Sequence, residues 1–547
     1  MKNSILKTVG GIVVFLLVSC TSYSDTVFLE IYKPTIPVLL HKEINPVIRL
    51  DLTRKDKQSY TIENISLHFA GTTNINDIVS VSVYGSNEKG MLDTGALKAV
   101  SPQTGNKINF KNQMAADRDT VSLWIAVTLK DSVDLTHKIA VNCEEIKTSQ
   151  GKVRIEKTPA NPLRIGVAVR QKMQDDIHTS RIPGLEKTKD GTLIAIYDAR
   201  YESARDLQGD IDICLNRSTD KGLTWQPVQK ALDMGEWGNL PQKFNGVSDA
   251  CILVDNVTGE IFIAGLWMHG VLDEKGKWIE NLTVDSANWE HQWRRKGSQP
   301  GWGIKQTSQF LITKSNDNGL TWSEPENITS MIKKPEWWLL APAPGHGITT
   351  KDGTLIFPTE GRDAKGETFS NITWSKDHGK TWTTSNPAFK DVTECNVVEL
   401  SNGSLMLNMR DNRNRGNTEV NGRRICTTTD LGTTWTEHPT SRKALIEPTC
   451  MASIQKHEYV DAQGNKSHIL LFANPSSHSI RDSLTLKVSF DDGQTWPQKH
   501  WILFDRFRSA GYSSIASVDN NTIGILYESS LADLVYLQFK LEEIVKE

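Results

Sequence analysis

The chain is poor in cysteine, and the cysteines it has form no pattern. Seven occur in 547 residues, no two make a Cys-x-x-Cys pair, and none stands at metal-ligand spacing from a histidine. A structural zinc site is therefore not expected. Cys143, Cys214, Cys251, Cys395, Cys426 and Cys450 fit buried free thiols at least as well as a disulfide framework. Charge of one sign is also lacking: 62 Lys and Arg face 65 Asp and Glu, a net charge of −3. Without a basic block, nucleic acid is not an expected partner. No carboxylate-rich loop has calcium spacing, which leaves a structural ion neither required nor excluded. Helix-period stretches are rare, and no apolar run after the N-terminus is long enough to cross a bilayer.

What is present begins with Lys2, Lys7 and an apolar run from Val9 to Val18, ending in Leu17-Val18-Ser19-Cys20. A charged start, a short apolar stretch and small residues at a cleavage point form an export signal. The cysteine directly after Leu-Val-Ser resembles the lipobox of bacterial lipoproteins. Residues 1–20 are thus expected to be a lipoprotein signal peptide, with Cys20 lipidated. The mature protein would be exported and would touch a membrane, periplasmic or cell-surface, only through that anchor. The alternative is an ordinary secretory peptide with an incidental cysteine.

The remaining length exceeds what one core organises, so at least two domains are expected. Short β-branched and aromatic runs bounded by turn residues recur, such as Thr192 to Tyr197 and Ser404 to Met409, so the protein is read as all-β. An octapeptide repeats five times: Ser218 to Trp225, Ser315 to Trp322, Ser375 to Trp382, Thr428 to Trp435 and Ser489 to Trp496. Its Asp and Gly supply a tight turn, and its Trp packs on adjacent strands. The intervals suit four-stranded blades, with one long insertion, so residues 165–547 are read as a six-bladed β-propeller. Residues 21–160 lack the repeat but alternate in the manner of a β-sandwich, as in Val79 to Tyr84 and Val121 to Val127. The stretch from Trp267 to Gly303, with Trp278, Trp289, Trp293 and Trp302, reads as a loop that overhangs a ligand or packs on the propeller.

These repeats resemble the Asp-boxes of the sialidase (neuraminidase) family, and residues 21–160 resemble, more loosely, the module preceding some bacterial sialidase propellers. Separate motifs carry the resemblance from Arg181 to Glu528. Ser180-Arg181-Ile182-Pro183 matches the family's arginine signature. Arg410 in Leu407-Asn-Met-Arg-Asp411 and Arg481 in Ser479-Ile-Arg-Asp-Ser-Leu-Thr485 match the two further arginines that hold the substrate carboxylate. The planar guanidinium fork suits a carboxylate, and three of them need acidic partners to sit together. Glu528 in Leu526-Tyr-Glu-Ser529 matches the glutamate that steadies Arg181.

The resemblance places the nucleophile at Tyr512 in Gly511-Tyr-Ser-Ser514 and its base at Glu394 in Thr393-Glu-Cys-Asn396. A neutral phenol approaches an anionic sugar without the repulsion a carboxylate would meet. The general acid is assigned to Asp206, six residues after Arg200, with Asp210 and then Asp198 as competitors. Arg200 is expected to touch substrate oxygens, and Asp249 in Gly246-Val-Ser-Asp-Ala250 the C4 hydroxyl and N-acetyl region. Thr307-Ser308-Gln309 are further candidates for the pocket lining, while His178 and His346 are read as structural or rim residues. The implied activity is a retaining exo-α-sialidase acting on sialylated glycoproteins, glycolipids and oligosaccharides, without metal or organic cofactor. Its rivals are a trans-sialidase, an intramolecular anhydro-forming enzyme, and a non-catalytic sialic-acid-binding propeller, which would need only the arginines.

Overall fold

The computed structural model describes residues 23–546, apart from 25, 57, 104, 157, 274, 276, 284, 287–297 and 462. Cys20 and the export signal lie outside the described residues, as do Trp289 and Trp293. Among the described residues the strands form eight sheets.

Two sheets make an N-terminal sandwich. One contains Val27–Tyr32, Asn45–Arg54, Thr120–Leu129, Ile78–Ser86 and Leu92–Pro102; the other is built on Tyr60–His68 with Asn142–Thr148, Gly151–Lys152, Lys107–Phe110 and Met114–Ala116. Leu50, Leu52, Ile65, Leu67, Val81, Val83 and Ile125 fill the space between them. The two alternating segments seen in the sequence pair with each other, Val81 opposite Val127 and Val83 opposite Ile125. Period-two alternation put their apolar faces on one side.

The other six sheets are the propeller blades, each wound from the axis outward. The innermost strands are Thr179–Lys187, Val247–Val254, Leu339–Pro342, Val392–Glu399, Ser453–Val460 and Ser513–Asp519. The last blade is closed by both ends of the fold: Leu163–Arg170 pairs antiparallel with Leu534–Lys540, with Gly166 opposite Leu537. Two short strands from the N-terminal segment join that sheet, Val38–Leu39 in parallel and Lys138–Ile139 antiparallel. The sandwich core consequently runs on into the closing blade and the first blade through Ile139, Leu163, Leu185 and Tyr536.

The five repeats occupy one position, the turn between the third and fourth strands. In the first, the Ser218 hydroxyl donates to Asp220, Gly222 N–H donates to the Ser218 oxygen, and Thr224 N–H and hydroxyl both donate to the Asp220 carboxylate. Gly222 sits at φ +92°, and a Cβ there would lie 2.1 Å from the Tyr536 ring of the closing blade. Six blades carry five repeats because the fourth strand of the last blade comes from the start of the propeller, so that blade has no such turn. All six cysteines of the described chain are buried thiols.

Candidate active site

Antiparallel winding puts the starts of the first strands, the ends of the second strands and the connections after them at one end of the propeller, opposite the repeats. Every site residue assigned from sequence, Cys20 aside, lies at that end. Arg181, Asp249 and Glu394 are on innermost strands, each where pairing to the second strand slips register: between Arg181 and Gly184, Ser248 and Cys251, and Val392 and Cys395. A bulge re-aims a side chain that regular alternation would point into the blade. Asp249 and Ile182 are also held at φ +57° and +60°, local strain concentrated at the site.

These residues line a cavity of about 1190 Å³, walled by Arg181, Asp206, Asp249, Glu394, Arg410, Arg481 and Tyr512. Tyr512 is 5% exposed, and its hydroxyl donates a very short hydrogen bond to Glu394. Arg410 Nη1 lies 2.5 Å from the other Glu394 oxygen and 3.3 Å from the Tyr512 hydroxyl. The guanidiniums of Arg181 and Arg481 sit 5.5 and 5.6 Å from the centre of the Tyr512 ring. Burial, and then the Glu394 charge, push the phenol well above its ordinary range, with Arg410 and Arg481 opposing. The resting group is thus a neutral phenol beside a carboxylate that can take its proton.

Glu528 organises the arginine end from beneath. One carboxylate oxygen accepts from Arg181 Nε at 2.6 Å and from Ile182 N–H at 3.0 Å; the other accepts from Tyr512 N–H at 2.9 Å. Burial opposes its ionisation, yet Arg181 and these hydrogen bonds overcome it and hold the carboxyl below its usual range. Glu528 thereby fixes Arg181 and the Tyr512 backbone together. Arg481 is oriented by the carbonyls of Ala510 at 3.0 Å and Thr449 at 3.2 Å.

Asp206 stands at the cavity mouth with a half-exposed side chain, 2.7 Å from Arg200 Nη1. Asp210 is not part of the cavity wall; burial and Glu202 raise its carboxyl to about 6. Asp198 is fully buried, accepting from Ser248, Arg200 and Asp249 N–H. Arg200 lies behind the cavity surface. It is 1% exposed, is not among the residues that line the cavity, and bridges Asp198 at 3.0 Å to Asp206. It supports Asp206 and is itself held by the Asp198 carboxylate, the partner a buried guanidinium needs.

Among the described residues, none from Trp267 to Gly303 lines the cavity. Trp278 packs on Leu207, Ile211, Met268 and Leu272, and Trp302 Nε1 donates to the Lys333 carbonyl at 2.9 Å. For these two the packing reading holds. Thr307, Ser308 and Gln309 are buried under the loop: Thr307 shares a 2.7 Å hydrogen bond with the Ser298 hydroxyl, which also accepts from Ser308 N–H. His346 is buried on the propeller axis, 3.8 Å from Glu186, and His178 bonds Thr179, so both stay outside the site.

Sequence reasoning missed a further part of the cavity wall. Glu360 and Arg362 end the second strand of the third blade, Leu355–Arg362, and Thr368, Asp391, Asn412 and Arg415 continue from them. Its signal was two charges at i and i+2 closing an otherwise apolar strand, which put both on one face.

A protein-family model described as "BNR repeat-like domain" matches residues 182–519, and one described as "N-terminal domain of BNR-repeat neuraminidase" matches residues 25–152. A sialidase of Bacteroides fragilis (strain YCH46) is 35% identical, the alignment covering 96% of each protein. A sialidase of Micromonospora viridifaciens is 32% identical over 66% of this chain and 51% of its own length. Among solved structures, Hadza microbial sialidase Hz136 superposes with a TM-score of 0.84 at 33% identity, covering 94% of this chain and all of its own. The intramolecular trans-sialidase from Ruminococcus gnavus shares the fold, with a TM-score of 0.53 at 18% identity over 70% of this chain and 98% of its own. The chain therefore belongs to the BNR-repeat sialidases, and it is a glycoside hydrolase of the exo-α-sialidase class.

Proposed function

We propose that this protein is a retaining exo-α-sialidase that removes terminal sialic acid from glycans through Tyr512. The observation that carries the reading is the Tyr512–Glu394 hydrogen bond set between Arg181, Arg410 and Arg481. The three guanidiniums hold the substrate carboxylate and so present the anomeric carbon to the phenol. Tyr512 attacks that carbon as its proton passes to Glu394, while Asp206 protonates the departing glycosidic oxygen. In the second half, water gives a proton to the Asp206 carboxylate and attacks the same carbon; the Tyr512 oxygen leaves and recovers its proton from Glu394. Two displacements at one carbon retain configuration.

Incubating residues 21–547 with α-linked sialyl-lactose under NMR tests this. Free sialic acid appearing first as the α-anomer is the expected result; the β-anomer first rules out the double displacement. An anhydro-sugar or a transferred product would shift the assignment to an intramolecular or intermolecular trans-sialidase. Export and lipidation at Cys20 are part of the proposal, supported by the N-terminal sequence pattern. An alkyne fatty acid fed to an expressing bacterium should label the wild type and not Cys20→Ala; equal labelling removes the anchor.

A further inference from the structure

Three carboxyl groups of the cavity lining act on one another: Asp249 from the second blade, Glu360 from the third and Glu394 from the fourth. Their charges are poorly matched. Arg410 is engaged by Glu394, and Arg362, on Glu360's own strand, is the other cation that acts on Glu360. The cavity must also admit the carboxylate of the substrate, which draws on Arg181, Arg410 and Arg481. One ionised carboxylate is what Arg410 can balance while it also serves the substrate, and the mechanism requires that one to be Glu394.

Glu360 has the surroundings of a carboxyl kept neutral. It is buried, it lies on the cavity wall, and its flanking strands, Leu339–Pro342 and Thr368–Ser375, contribute no titratable side chain. From the fourth blade it faces Glu394, Arg410 and the buried thiol of Cys395, which donates to the Thr359 carbonyl. From the second blade it faces Asp249. Burial, followed by the Glu394 charge, raises the Glu360 carboxyl to about 8, with Arg410 and Arg362 opposing. Asp249 is pushed up by burial and by Asp198, Glu360 and Glu394 in turn.

We propose that Glu360 is a positioning residue of the reaction: uncharged, it leaves Glu394 as the single anion beside Tyr512, and its ionisation closes the enzyme on the alkaline side. This rests on the assignment of Tyr512 and Glu394 as nucleophile and base. An anion at Glu360 would oppose the substrate carboxylate and would compete with Glu394 for Arg410. The sign follows: below about 8 Glu360 is neutral and the site is competent; above it Glu360 adds a negative charge beside Glu394 and kcat/KM falls.

The test is the pH dependence of kcat/KM for wild type and Glu360→Gln, measured with an aryl sialoside whose leaving group needs no protonation, so that Asp206 does not set the alkaline limb. The expected result is a wild-type fall centred near pH 8 and, in Glu360→Gln, a fall displaced upward by at least one pH unit. Calorimetric binding of an anionic unsaturated sialic-acid analogue should show the same displacement without turnover. Superimposable alkaline limbs in both measurements overturn the proposal. If Glu360→Gln does not fold, Glu360→Asp carries the test, since moving the carboxyl away from Glu394 must shift the limb and an unmoved limb is again fatal. Tyr512→Phe separates the two readings. If it keeps full turnover, the nucleophile assignment has failed; if it is inactive while the limbs coincide, only the role of Glu360 has.

Discussion

Tyr512, the proposed nucleophile, is neutral at rest: burial and the adjoining carboxylate favour the phenol and outweigh Arg410 and Arg481, which oppose them. Its reactivity must arise as attack proceeds, when charge leaves the oxygen and the proton moves to Glu394, already in contact. Tyr512→Phe keeps the ring between Arg181 and Arg481 and deletes only the oxygen. We expect kcat to fall by at least about a thousandfold while a sialic-acid analogue still binds, checked by calorimetry alongside steady-state rates. Asp206 differs in kind, being half-exposed and carried by Arg200. Asp206→Asn should cost natural sialosides about 10²–10⁴ in kcat and aryl sialosides far less; equal losses would move the acid elsewhere. Both assignments came from short motifs. The motif spacing linked Arg200 to Asp206, and the structure pairs them directly.

At the scale of elements, the Asp-box repeat is a turn that solves two problems in eight residues. Its Asp carboxylate accepts from the amide and hydroxyl of the Thr four residues on, and its Gly allows the backbone to press against the neighbouring blade. Gly222→Ala should destabilise by about 1–3 kcal/mol, since a Cβ would meet the Tyr536 ring at 2.1 Å and φ is +92°. Thermal unfolding should show the lower Tm with no change in KM, because the turn is at the end of the propeller away from the cavity. The blades were legible because each repeats the same local pattern. The bulges at Arg181, Asp249 and Glu394 were not. Register slips are fixed by pairing with the second strand, and a single strand's sequence carries no record of its partner's.

The whole molecule is closed by its own ends, and the N-terminal segment is part of the seam. Arg164, on the outer strand of the last blade, bonds Glu543 at 2.7 Å and stacks its guanidinium 3.9 Å from the Phe539 ring centre, while Lys138 of the N-terminal segment reaches the same carboxylate. Burial opposes ionisation of Glu543, but Arg164 and Lys138 hold it below its ordinary value. Its contribution is therefore complete above the unfolded carboxyl value of about 4.3 and is lost as pH falls through the lowered folded value. Glu543→Gln should cost about 1–3 kcal/mol at neutral pH, read from denaturant unfolding, and the deficit should shrink toward zero in acid.

By itself the sequence determined the class of the protein and its repeated blade, and it located the candidate site, because turns, alternation and site motifs are written in residues that are neighbours along the chain. The tertiary structure alone decided that the N-terminal strands belong to the propeller's closing sheet, that Arg200 lies beneath Asp206, and that Glu360 shares a wall with Glu394. The first and the last of those depend on residues brought together from different blades or from opposite ends of the chain. Their burial and mutual charge exist only once the ring has closed.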